Sequence, residues 1–116
     1  MQIKKTFRNV NPELLYAEVR DFSLKQGTTL GEAKMETFAS TGDTSSFVTR
    51  GTLTFKFSGK PGEGEKECLR AHIMGSVKGE TKLMLDVDET LFPEENVKAV
   101  LEDLDFVFGP YELKTK

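Results

Sequence analysis

The sequence predicts an α+β domain: an antiparallel sheet of about five strands, in the order strand, helix, four strands, helix, with the C-terminal helix packed on the buried sheet face. Three observations carry this. Apolar and polar residues alternate through most of the stretch from Thr29 to Val87, the rhythm of strands with one buried and one solvated face, which is the habit of antiparallel sheets. Two other stretches, Pro12 to Gln26 and Pro93 to Phe108, repeat apolar residues every three or four positions, as an amphipathic helix does. Turn-forming residues separate the alternating runs closely, so hairpins rather than long crossovers connect them.

In a short first strand, Ile3 and Phe7 share one face, with Gln2, Lys4, Thr6 and Arg8 opposite. Asn11-Pro12-Glu13 then starts a helix: Asn accepts from free N–H groups, Pro at the first position has none to waste, and Glu suits the positive end. Leu15, Val19 and Phe22 form its apolar stripe and Gly27 stops it. From Thr29 to about Ala39 the face of Ala33, Met35 and Thr37 opposes Glu32, Lys34 and Glu36, and Ser40 to Ser45 make a turn. Leu53, Phe55 and Phe57 alternate with Thr52, Thr54, Lys56 and Ser58 in the clearest strand. Gly59 to Glu65 is a loop.

Leu69, Ala71, Ile73 and Val77 next oppose Arg70, His72 and Met74, and by parity Cys68 joins the solvated set. Lys78-Gly79 turns the chain into Thr81, Leu83, Leu85 and Val87, alternating with Lys82, Met84, Asp86 and Asp88. Pro93-Glu94-Glu95 opens the last helix, whose stripe is Val97, Val100, Leu101, Leu104, Val107 and Phe108. Gly109-Pro110 ends it, and Tyr111 to Lys116 are expected to fray. Phe92 and Phe106 are expected in the core with the other aromatics.

A chain of 116 residues suits a single domain spanning 1–116. One cysteine and no apolar run after the basic N-terminus point to a cytoplasmic protein. No stretch nears the ~20 apolar residues of a membrane-spanning helix. The net charge of −3 conceals a split: residues 1–60 carry nine Lys/Arg against six Asp/Glu, residues 61–116 seven against thirteen. The basic residues are scattered among acids, so nucleic acid is not an expected partner.

Motifs with chemical meaning are few. Leu83 to Leu91, with Asp86 and Asp88, resembles the first motif of haloacid-dehalogenase-type phosphotransferases, which implies a nucleophile and an acid/base working with magnesium. That family needs an alternating βαβ domain after the strand, whereas 25 residues follow Leu91, so the two acids are expected on a solvated strand face. The glycines of 59–64 precede Glu65 where a phosphate-cradling loop needs Lys. His72 has no nominated nucleophile and Cys68 no metal-binding spacing. No catalytic residue, metal ligand or cofactor is nominated.

The run Asn11-Pro12-Glu13-Leu14-Leu15-Tyr16 followed by Asp21-Phe22, with a sheet and a long C-terminal helix after it, resembles the START-like superfamily of pollen-allergen, polyketide-cyclase and lipid-transfer proteins. The resemblance implies a cavity between sheet and C-terminal helix that takes a small apolar ligand or lipid. Residues Phe55, Phe57, Leu101, Leu104 and Phe108 are the expected lining. The alternative is a protein-interaction or homodimerising module, with Thr29 to Ala39 as a candidate edge strand.

Overall fold

The computed structural model describes residues 1–39, 47–58, 64–76 and 79–113. The elements follow the expected order: β1 (Gln2–Arg8), α1 (Pro12–Lys25), β2 (Thr29–Ala39), β3 (Phe47–Ser58), β4 (Glu65–Ser76), β5 (Glu80–Val87) and α2 (Glu94–Phe108), closed by a 3-10 turn at Gly109–Tyr111. The turn expected at Ser40 to Ser45, most of the loop from Gly59, Val77, Lys78 and residues 114–116 lie outside the described residues. All five strands form one antiparallel sheet in the order β1-β5-β4-β3-β2. Four strands are thus sequential neighbours. The one long-range pairing sets the first strand beside the last, and α1 carries the chain from one sheet edge to the other.

Register sorts the side chains into cross-strand rows. Ile3, Leu85, Ala71, Leu53 and Ala33 form one inner row, and Lys5, Leu83, Ile73, Gly51 and Met35 the next. Leu53, Ala71, Ile73, Leu83 and Leu85 of these rows are buried under the helices, as are Phe55, Leu69 and Val87 of the adjoining row. Burial of each large apolar side chain favours folding by about 1.5–3 kcal/mol, before chain entropy is charged against it.

Glycines let α1 approach. A Cβ on Gly75 would stand 2.5 Å from Pro12 Cγ, and one on Gly51 would stand 2.7 Å from Tyr16 Cδ2. The helix therefore rests on bare backbone of β3 and β4. Asn11 Oδ1 caps it, accepting from the N–H groups of Glu13 at 2.7 Å and Leu14 at 3.4 Å, and Gly27 leaves it at φ +91°. Leu15, Val19 and Ser23 are its buried residues, while Phe22 is only partly covered. Among the described residues the Ser23 hydroxyl has no hydrogen-bond partner.

Beside α1, α2 crosses from β3 to β1. Phe92, just before it, stacks on Phe57 with ring centroids 5.7 Å apart, and Phe108 at its end meets Phe7 at 5.8 Å. Val97, Val100, Leu104 and Phe108 are buried. Two expectations are corrected here: Val107 is exposed, and Phe106, expected in the core, is 89% exposed. The buried stripe is one residue wide per turn and turns both away.

Two further corrections concern the sheet. Between Phe55/Leu69 and Lys56/Glu67 the pairing skips one residue of β4; the bulge reverses parity, so Cys68 is buried with Leu69 rather than solvated. The segment after α2 is also not frayed through Leu113. The Leu113 N–H donates to Thr6 O at 2.7 Å, Phe7 bridges Glu112, and inward-facing Lys5 pairs with Glu112 at 3.0 Å.

Gly75→Ala and Gly51→Ala should each lower unfolding free energy by about 1–3 kcal/mol, the usual cost of overpacking. Ser23→Ala should instead raise it by about 1 kcal/mol, because an unsatisfied buried hydroxyl is removed. Urea denaturation checks all three.

Candidate functional site

Both helices cover the same side, so the outer face of the sheet carries the side chains free to meet a ligand. Two outer rows cross β1, β5 and β4: Lys4, Met84 and His72 in one, Thr6, Lys82 and Met74 in the other. These six residues border a groove of about 380 Å³, together with Lys5 and Leu83 of the same strands. Lys4 and Lys82 are exposed, Thr6, Met84 and His72 half-buried, and Met74 is 39% exposed.

The charges around the groove differ in their commitments. Asp86, one row on, accepts from Gln2 Nε2 at 3.1 Å and lies 3.9 Å from His72 Nε2. Arg70 is held by Glu67 through two contacts, of 3.0 and 3.4 Å, which raise its pKa. Among the described residues neither Lys4 nor Lys82 enters an ion pair. Two uncommitted ammonium groups beside one exposed and one half-buried thioether chain, Met74 and Met84, can hold an anion that carries an apolar body. A lysine about 4 Å from an anion contributes on the order of 1–4 kcal/mol before desolvation.

The motifs that suggested catalysis have structural work. Asp88 turns the chain after β5: Thr90 donates to Oδ1 from its hydroxyl at 2.6 Å and its N–H at 3.0 Å, and these bonds lower the Asp88 pKa. The strand bearing Asp86 is antiparallel to both neighbours, unlike the parallel strand that the phosphotransferase motif implies. Cys68 is 1% exposed and its thiol donates to Phe55 O at 3.5 Å. Burial, countered by a backbone hydrogen bond and reinforced by Asp88 and Glu67, pushes its pKa up to about 11, so it is a neutral thiol at physiological pH. Among the described residues no three His, Cys, Asp or Glu side chains gather as a metal site.

Of the expected apolar lining, Phe55, Leu104 and Phe108 lie in the core, and Phe57 and Leu101 pack against it partly covered. The structure brings all five to the helix side of the sheet. The groove residues were missed as a group because β1 pairs with β5 across most of the chain; shared parity of Lys4, Thr6, Lys82 and Met84 was the one signal present. The chain matches no family model, no curated protein and no solved structure. No helix among the described residues is long and apolar enough to cross a membrane.

Native Cys68 should react with a thiol reagent only as fast as the protein unfolds. Its raised pKa also has a sign: between the ordinary value of 9.0 and about 11 the folded state holds the extra proton, so stability is intact below that window and falls as pH rises through it. Urea midpoints across the window should fall more steeply in the native sequence than in Cys68→Ala.

Proposed function

We propose that this chain is a binding module whose working surface is the uncovered sheet face, where Lys4 and Lys82 hold an anionic group and Met74 and Met84 support the apolar part attached to it. One observation carries the reading: on a protein of net charge −3, two lysines without ion-pair partners among the described residues border the same groove. A groove of about 380 Å³ is within the range of small-molecule sites, roughly 300–1,000 Å³. Binding rather than catalysis suits the surroundings, since Cys68 is sealed and Asp88 is bonded to Thr90. A reducing, cytoplasmic setting suits a chain whose single cysteine is a buried free thiol.

A second reading keeps the START-like resemblance: an apolar ligand between sheet and α2, lined by Phe55, Phe57, Leu101, Leu104 and Phe108. Its support is that Phe57 and Leu101, with Phe22 and Leu24 of α1, are only partly covered where they pack on the core. A ligand there would have to part side chains that now touch.

Decyl phosphate and neutral decyl maltoside, titrated below their micelle concentrations and followed by amide and methyl NMR, separate the two. The groove reading expects decyl phosphate to shift Lys4, Thr6, Met74 and Lys82, with several-fold weaker binding in Lys4→Gln/Lys82→Gln and at high salt. Equal shifts from both compounds at Phe57 and Leu101 would favour the second reading. No response to decyl phosphate would remove the first.

A further inference from the structure

The two edges of the sheet are finished differently. Along β1 the chain after α2 supplies Glu112 and Leu113, with the Leu113 N–H bonded to Thr6 O and Glu112 paired with Lys5. Along β2, which pairs with β3 on its other side, no described segment plays that part. An uncovered edge is a template for another strand.

We propose that a second copy of this chain pairs with β2, antiparallel about Met35, so that the sheet continues across a two-fold axis. An isologous contact requires each strand to be its own complement, and here the register decides. Centred on Met35, Lys34 of each copy faces Glu36 of the other on the outer side of the sheet, giving two opposite-charge pairs, and Ala33 faces Thr37 on the inner side. Centred on Lys34, Glu32 would face Glu36, and like charges directly opposite are unfavourable.

Centred on Ala33, the pairing would run through the irregularity between Leu30 and Ala33. That irregularity sets the limit of the contact. There β2 has one more residue than β3 between the paired positions, Gly31 approaches Thr54, and Thr54 Oγ1 accepts the Glu32 N–H at 2.6 Å. A bulge bends its strand and ends regular pairing, so the regular stretch of β2 begins at Ala33 and continues to Ala39. A register centred on Glu36, its midpoint, would set Glu36 against Glu36, whereas the one centred on Met35 keeps Ala33 to Thr37 within that stretch.

The present partner of Lys34 is Glu32 on the same strand, at 3.3 Å with both side chains largely exposed, a contact of little strength. Met35 is half-buried, and its methyl group lies with the Tyr16 ring over Gly51. Two copies of Met35 at the axis would extend that apolar contact without covering the groove, which lies across β1, β5 and β4. The inference is therefore independent of the groove and its ligand.

Sedimentation of the whole chain over a concentration series, with disulfide trapping, tests it. Residues facing each other across an antiparallel pair have Cα atoms about 4.5–5.5 Å apart, within disulfide reach. Met35→Cys should therefore form a disulfide-linked dimer under mild oxidation, faster than Ala33→Cys or Lys34→Cys, with buried Cys68 staying out of the reaction. Glu36→Lys should raise the dimer dissociation constant about tenfold, because the change acts twice across the axis, and Lys34→Glu/Glu36→Lys should restore it while circular dichroism stays native. A monomeric mass at every concentration would overturn the proposal. So would a dimer that Glu36→Lys leaves unchanged, or one trapped fastest through Ala33→Cys or Lys34→Cys.

Discussion

Tyr16 and Pro12 sit directly on the backbone of β3 and β4 because residues 51 and 75 have no side chains, and this close seat of α1 determines where the rest can go. With α1 resting over the middle of the sheet, α2 finds its place beside it, pinned by Phe92 against Phe57 and by Phe108 against Phe7. The Lys25 ammonium reaches Asp103 at 3.4 Å between the two helices, an exposed pair of minor energetic weight. Packing of apolar stripes into the inner rows holds the helix layer. Both helices thus spend their apolar faces on one side, and the sheet's other side keeps its polar rows.

That division explains how an acidic chain presents a basic patch on one sheet face. Much of the acid excess lies outside the groove: Glu94 and Glu95 begin α2, where the helix dipole favours them, and Glu102, Asp103 and Asp105 follow along it. Around the groove, the acids nearest to it are engaged, Asp86 by Gln2 and Glu67 by Arg70. Overall charge therefore says little about this face. What matters is that pairing of β1 with β5 sets Lys4 and Lys82 on the same surface as the methionines.

Much of the fold was legible because its signals are local. Asn11-Pro12 and Gly27 bracket α1 nearly as expected, and the alternation of Leu83, Leu85 and Val87 gives β5 its buried face. The errors come from places where one residue breaks a period or a distant segment intervenes. A single extra residue turned Cys68 inward, and nothing in a two-residue rhythm announces a bulge. Glu112 and Leu113 read as polar tail because their partners, Lys5 and Thr6, are more than a hundred positions away. Phe106 carries an apolar side chain on the wrong side of a helix whose burial is set by Leu104 and Phe108. The groove was illegible for the same reason as the tail: its six side chains meet only after the first strand has found the last.

Ile73 and Met74 are adjacent in β4 and report on opposite faces of the sheet, Ile73 being fully buried and Met74 exposed at 39%. Methyl NMR with a soluble nitroxide measures that difference directly. With one covered face and one open face, the Met74 methyl should broaden strongly while the Ile73 methyls stay sharp. Equal broadening of the two, or a protected Met74 beside an exposed Ile73, would contradict the layered arrangement on which every other conclusion stands.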